Sequence, residues 1–305
     1  MRSGMARGVR SFVAVVTSSG ASCALALLAM ACGEPPAEAT SLRTASIVPE
    51  RAVEAVDLAA PAPAAEAKPT PTRELRVATY NILGGKLGVD GVVAAIRSFD
   101  ADVVALQEVD DGTRRSGRVD QPEAIAEALG MEVAFAEHRK FGGGRIGVAL
   151  LSRHPLSNVE RIALPGDLLA ALRADVRIAG KVVRVFVVHF HPTDPRDPLA
   201  RQKGMDAARL READEVLVHA TREPIPTIVM GDFNARSNGP EHAAFSDHFE
   251  DACPDGGATW PASLPLVRID YVWLSSALAR VACPSFTPDA SDHRPVVADL
   301  RFATE

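Results

Sequence analysis

The 305-residue chain is short of tyrosine, with two, and of cysteine, with four. It also lacks a basic excess: 33 lysines and arginines stand against 39 aspartates and glutamates, for a formal net charge of −6. A nonspecific nucleic-acid binder carries a basic footprint and stacking aromatics, so both shortages argue against that class. They do not exclude a nuclease, because a local basic groove can sit inside an acidic total. No period of roughly 20–50 residues recurs, which excludes a solenoid or propeller array.

Charge is also missing from Ser11 to Ala31, a stretch that follows Arg2, Arg7 and Arg10 and ends in Leu28-Ala29-Met30-Ala31-Cys32. This start resembles a bacterial lipoprotein signal. The resemblance implies removal of residues 1–31, lipidation of Cys32, export, and attachment to a membrane. Ala29, where leucine is more usual, leaves a plain secretory signal open. Thr17, Ser18, Ser19, Gly20 and Ser22 make the stretch a poor uncleaved span. Residues 33–72 contain "AAPAPAAEAKPTPT" and no aromatic residue, so they bury too little apolar surface to offset their ordering entropy and read as a spacer. Cys23 leaves with the signal. Cys253 and Cys283 remain, and in an exported domain they can pair across the segment that holds Arg268-Ile269-Asp270-Tyr271; two free buried thiols are the alternative.

The domain that starts near Arg73 and runs to residue 303 alternates strands and helices. Strands are expected over Leu75–Ile82, Val103–Gln107, Val133–Ala136, Gly147–Ser152, Thr227–Met230, Ile269–Leu274 and Val296–Phe302. Arg173–Ile178 and Val182–Phe190 read as a hairpin about Ala179-Gly180. Helical spacing covers Gly88–Ser98, Gln121–Leu129 and Leu199–His219. Many strands with a few interspersed helices indicate a layered α/β (α+β) sandwich.

Several of these strands end in acids, amides or histidines. Asn81 follows "RVATY", Glu108 follows "VVALQ", and His189 follows "VFVV". Asp232 and Asn234 follow "TIVMG", Asp270 sits in "RIDYVW", and Asp292-His293 precede the last strand. Each alone is ordinary turn or core chemistry. Six such placements at strand ends, where ligand sites gather, are not.

Together, "TYNIL", "LQEVD", "GVALLSRHPL", "GDFNA", "RIDYVW" and "SDHRPV" resemble the endonuclease/exonuclease/phosphatase superfamily, over about Arg73 to Phe302. The resemblance implies a four-layer sandwich of two packed, mostly antiparallel sheets flanked by helices. It also implies a divalent-metal-dependent hydrolase of phosphoric esters, with Mg²⁺ as cofactor and Mn²⁺ as the substitute. In that reading Asn81, Glu108 and Asp292 serve the metal, whose hard character suits carboxylate and amide oxygens. Asp232 orients or deprotonates the attacking water, and Asn234 donates to a phosphoryl oxygen. His293 contacts the phosphate or moves a proton, Asp270 fixes its tautomer, and His189 hydrogen-bonds the phosphate or assists the leaving group.

Where many members of that superfamily have Asn-Thr-His-Leu, this chain has Val187-Val188-His189-Phe190, followed by His191-Pro192. His191 reads as an exposed loop residue. Arg115, among Arg114, Arg115 and Arg118, and Arg145, in a glycine-rich loop over Phe141–Arg145, are candidate substrate contacts. The expected substrate is a phosphodiester of a lipid headgroup or small organophosphate, with nucleic acid the alternative and an inactive binding module the reading outside enzymes. A monomer is the default.

Overall fold

The computed structural model describes residues 72–166, 168–192 and 205–304. The leader, Cys32, the spacer and the start of the helix expected over Leu199–His219 lie outside them. In chain order the elements are β1 (Leu75–Asn81), α1 (Val89–Phe99), β2 (Val103–Asp111), α2 (Gln121–Leu129), β3 (Glu132–Phe141), β4 (Gly144–Ser152), β5 (Leu156–Ala163) and β6 (Ala170–Ile178). They continue with β7 (Lys181–His189), α3 (Met205–Ala220), β8 (Thr227–Asp232), α4 (Pro240–Ser246), β9 (Glu250–Asp251), β10 (Asp270–Leu274), β11 (Leu278–Ala282) and β12 (Val296–Phe302).

The strands form two six-stranded sheets, ordered β11-β12-β1-β2-β4-β3 and β5-β6-β7-β8-β10-β9. Each sheet has a single parallel pairing among the described residues, β1 with β2 and β7 with β8. The central strands are apolar on both faces because each sheet is covered twice. In β7, Val183, Val185 and Val187 face the other sheet, while Phe186 and Val188 join a cluster with Ala213, Val216, Leu217 and Ala220 of α3. In β1, Val77 faces the opposite sheet and Tyr80 packs with Val92, Ile96 and Phe99 of α1. The result is helix, sheet, sheet, helix, the four-layer sandwich expected.

Local chemistry sets the element ends. Asp120 caps α2 by accepting from the Glu123 N–H at 3.2 Å, and Gly130 ends it in the left-handed region at φ +65°. Ala179-Gly180 turn β6 into β7 with φ +47° and +82°, the handedness a two-residue hairpin needs. Gly142-Gly143 do the same between β3 and β4, at +57° and +82°, with Phe141 paired to Gly144. The expected loop over Phe141–Arg145 is therefore a tight hairpin turn, because both strands extend further than their apolar runs suggested. The sequence reading passed over β5, β9, β11 and α4. β5 has only Ile162 buried, so it carries no hydrophobic period. Cys253 and Cys283 are disulfide-bonded, with Cα atoms 5.9 Å apart.

Candidate active site

Parallel strands finish at the same edge, and this places the site. In the second sheet His189 and Asp232, the last residues of β7 and β8, are direct partners. β10 runs back from that edge, so its first residue, Asp270, pairs with Asp232 from the other side. In the first sheet the parallel ends of β1 and β2 bring Asn81 opposite Gln107. A register shift in β2 between Leu106 and Val109 then turns Glu108 out at φ +54°. Gln107 stays buried, accepting from the Thr79 hydroxyl at 3.2 Å.

Asn81 joins the two sheets. Its amide Nδ2 donates to Glu108 Oε1 at 3.3 Å and to Asp232 Oδ2 at 3.1 Å. Its Oδ1 accepts the Leu83 N–H at 3.0 Å, which sets the amide orientation. Asn81 is thus a tether between the two carboxylates, with one lone pair of its oxygen already engaged. The Ser291 hydroxyl donates to the Asn81 carbonyl at 2.6 Å and accepts the His293 N–H at 3.2 Å, which brings Asp292-His293 to the same place. Asp292 is half-buried, and its Oδ2 accepts from Trp260 Nε1 at 3.3 Å.

Asp232 is the centre. It is 1 % exposed, and Nε2 of His189 and Nε2 of His293 lie 3.7 and 3.8 Å from its Oδ2. His293 Nδ1 is 3.0 Å from Asp270 Oδ2, and Asp270 is fully buried. Burial, and then the neighbouring Asp270, push the Asp232 carboxyl above its ordinary range. For His293, burial pulls the imidazolium down, but Asp270 and Asp232 together outweigh it and push the group up to about 10. Two carboxylates therefore face an imidazole pair, the arrangement in which a base and a proton donor are held apart by environment. The ligand atoms of Asp232, Asp270 and His293 lie within 4.8 Å of one another, which makes that group a candidate metal site.

Asn234 adopts φ +49°, a left-handed geometry that asparagine tolerates. Its backbone N–H donates to Asp232 Oδ1 at 2.9 Å, and its Nδ2 donates to the Phe190 carbonyl at 3.0 Å. One amide hydrogen remains for a ligand. The strand end that carries both groups requires Gly231. A Cβ there would lie 1.9 Å from the Val188 carbonyl oxygen of β7.

Each of the two candidate arginines is paired with an acid. Arg115 makes a two-pronged ion pair with buried Asp110, Nε to Oδ2 at 2.6 Å and Nη2 to Oδ1 at 2.8 Å, and stacks over the Phe141 ring at 4.7 Å. It lies against the turn that leaves Asn81, since a Cβ on Gly84 would be 2.8 Å from its Nη2. Arg145 pairs with Asp111. Sequence reasoning passed over Trp260, Ser291 and Thr259, whose hydroxyl accepts from the Ile269 and Asp270 N–H groups at 3.1 and 3.3 Å. Ser291 was within reach of inspection, lying directly before Asp292-His293. Trp260 and Thr259 lie far from every motif and carried no local signal.

The model of the Endonuclease/Exonuclease/phosphatase family matches residues 78–293. YbhP of Escherichia coli K12, itself uncharacterized, is 27 % identical over 228 residues, 68 % of this chain and 86 % of YbhP. Among solved structures, an endonuclease/exonuclease/phosphatase from Beutenbergia cavernae superposes with a TM-score of 0.64 at 26 % identity, over 76 % of this chain and 72 % of that one. The human Nocturnin catalytic domain, solved with a bound sulfate anion, superposes with a TM-score of 0.60 at 23 % identity, over 76 % and 96 %.

Proposed function

The chain belongs to the endonuclease/exonuclease/phosphatase family, whose members are typically metal-dependent hydrolases of phosphoester bonds, and from that premise we propose that it hydrolyses a phosphodiester by attack of water. The observation that carries this reading is Asp232, flanked by two imidazole Nε2 atoms and tied through the Asn81 amide to Glu108.

The donor set fits a hard divalent cation. Glu108 is half-buried rather than sealed, and Asp292 is brought to the same edge through Ser291. We place the cation at Glu108, with Asp292 beside it and Asn81 supporting Glu108 through its amide N–H, and name Mg²⁺, with Mn²⁺ as substitute. The buried Asp232–Asp270–His293 group is the second candidate, but a cation there would compete with the 3.0 Å bond between His293 and Asp270. When bound, the cation supplies charge relief to the phosphoryl oxygens. Asp232 takes the proton of the attacking water. Asn234, with its free amide hydrogen, and the Nε2 atoms of His189 and His293 hold phosphoryl oxygens. Asp270 holds His293 by its Nδ1 and so directs Nε2 inward.

A lipid headgroup or small organophosphate is the preferred substrate class. The expected lipid anchor at Cys32 would hold the domain against a bilayer on the exported side, and the formal charge of −6 disfavours a polyanion. A specific observation favours the second reading, a nuclease. Arg114, Arg115, Arg118, Arg139, Lys140 and Arg145 gather about the β3–β4 hairpin, where Arg118 Nη1 donates to Gly143 O at 3.0 Å and Lys140 stands opposite Arg145 in the strand ladder. Asp110, Asp111 and Glu137 offset three of these charges. The test is a hydrolysis panel of bis(p-nitrophenyl) phosphate, p-nitrophenyl phosphate, sphingomyelin, plasmid DNA and an inositol phosphate, each with Mg²⁺, Mn²⁺ or EDTA. Turnover that EDTA and Glu108→Gln both abolish supports the reading, and the preferred substrate chooses between its two forms. Turnover that survives Glu108→Gln and stops in Asp270→Asn moves the cation to the buried group. Silence on all five substrates from folded protein refutes hydrolysis of these ester classes.

A further inference from the structure

Three arginines from separate segments line one cavity next to the site. Arg268 stands just before β10, Arg280 lies in β11, and Arg294 stands just before β12. The cavity holds about 390 Å³, within the roughly 300–1,000 Å³ typical of small-molecule sites. Thr259 forms part of its wall, whereas none of Glu108, Asp232, Asp270, Asp292 and His293 does. Phe286, Val297 and the Cys253–Cys283 disulfide give it an apolar side.

Like charges around one cavity repel unless something negative lies between them. Only Arg268 has a close carboxylate: its Nη2 donates to Asp251 Oδ1 at 2.7 Å, and its guanidinium sits 4.5 Å from the centre of the Tyr271 ring. Arg280 Nη1 is 3.9 Å from Asp255 Oδ2, and that carboxylate is 94 % exposed, so solvent screens the pair. Arg294 Nε donates to a neutral acceptor, the Ala262 carbonyl, at 3.0 Å. Two of the three charges thus border the cavity without a firm counter-ion among the described residues. A donor is left over as well. The Arg268 side chain is 9 % exposed, and its Nε has no acceptor among the described residues. A buried donor left unpaired costs about 1–3 kcal/mol, so Nε calls for a partner from outside the chain. Gly256 keeps the space near that Nε open. A Cβ there would meet the Cys253 carbonyl oxygen at 2.8 Å and come within 3.7 Å of Nε.

We propose that this cavity is a second anion site, separate from the candidate active site, and that it takes a small phosphomonoester whose phosphate lies among Arg268, Arg280 and Arg294 and whose short apolar body lies against Phe286 and Val297. Guanidinium forks match phosphate oxygens in pairs, which a single ammonium does not. A phosphomonoester carries close to two negative charges at neutral pH, the number left unmet at Arg280 and Arg294. The inference goes beyond the phosphodiesterase reading and requires no turnover, so it stands or falls on binding alone.

The experiment is isothermal titration calorimetry on the full chain, in EDTA, with n-hexyl phosphate, inorganic phosphate or sodium hexanoate. It compares wild type with Arg280→Gln, Arg294→Gln and His293→Ala. Wild type binds hexyl phosphate, and each arginine variant weakens that binding by about tenfold or more, the worth of one charged hydrogen bond. His293→Ala leaves it unchanged. Inorganic phosphate binds more weakly than hexyl phosphate, because it leaves the apolar side uncovered. Both arginine variants keep the wild-type Tm, since neither breaks a firm ion pair, so lost binding is not lost folding. Arginine Nε–H spectra of the ¹⁵N-labelled wild type give a second reading without any substitution: the Arg268 signal shifts as hexyl phosphate is added. No heat and no Arg268 shift up to about 10 mM, ten times a millimolar Kd, overturn the proposal and leave the cavity to water. Binding that survives both arginine variants and disappears in His293→Ala puts the anion in the candidate active site and overturns it equally. Hexanoate bound as tightly as hexyl phosphate overturns the assignment of phosphate.

Discussion

Gly231→Ala concentrates the fold and the site in a single methyl group. The added Cβ would meet the Val188 carbonyl oxygen at 1.9 Å, its carbon at 2.8 Å and its Cγ2 at 2.9 Å. Real Cβ contacts begin above 3 Å, so the β7 and β8 backbones must part by more than about 1 Å. Neither strand can retreat cheaply. β8 is paired on its other side to β10, β7 to β6, and both faces are packed with buried apolar side chains. Overpacking of this kind costs about 1–3 kcal/mol, and the rigid neighbours here put it at the upper end. For a domain of this size about 3 kcal/mol lowers Tm by roughly 6–12 °C. The displaced residues include the next pair in the ladder, His189 with Asp232, so turnover falls further than stability alone explains, by about 100-fold for a shift near 1 Å. Differential scanning calorimetry, and kcat measured well below the melting range, read the two effects separately. A variant that melts within 2 °C of wild type and keeps its kcat would refute the close approach of β7 to β8 on which the site geometry depends.

Arg115→Ala strands the buried carboxylate of Asp110, which keeps only the Thr113 hydroxyl at 2.7 Å. The expected cost is about 2–3 kcal/mol, below that of a fully sealed pair because Arg115 reaches solvent, and urea unfolding measures it. A rise in KM with unchanged stability would instead make Arg115 the substrate contact that the sequence suggests. His138 is 7 % exposed, with Nε2 3.0 Å from the Ala170 carbonyl, and burial followed by the nearby His189 pulls it down to about 3. Above pH 6.5 it is neutral in both folded and unfolded chains, so its contribution is fully present. As pH falls from 6.5 toward 3 only the unfolded chain takes up the proton, and stability drops by about 1.4 kcal/mol per unit. His138→Gln therefore flattens the loss of unfolding free energy between pH 7 and 5 relative to wild type, and identical slopes would contradict the assignment. A saturating divalent cation at about 100 times its Kd adds about 2.7 kcal/mol of stability, visible as a rise in Tm that EDTA reverses and Glu108→Gln removes. A rise that persists in Glu108→Gln places the cation at another site.

The sequence by itself determined the secondary structure of the doubly covered strands, because a strand buried on both faces must be apolar throughout, as in "VVAL", "VFVV" and "TIVM". It determined α2 almost to the residue, through Asp120, Pro122 and Gly130. It also determined which chemistry ends those strands. Only the tertiary structure decided which of those ends meet. That rests on the parallel pairing of β1 with β2 and of β7 with β8, and on the packing of one sheet over the other, contacts between segments as far apart as Asn81 and Asp232. It likewise decided the fate of individual charges. Arg115 and Arg145 carry the same side chain whether they bind phosphate or carboxylate, and the acids that claim them, Asp110 and Asp111, do so through the geometry of a β-hairpin and its neighbouring strand. His191 is the same case in reverse: nothing local distinguishes it from a loop histidine, and Glu212 of α3, 21 residues later, supplies the carboxylate that holds it.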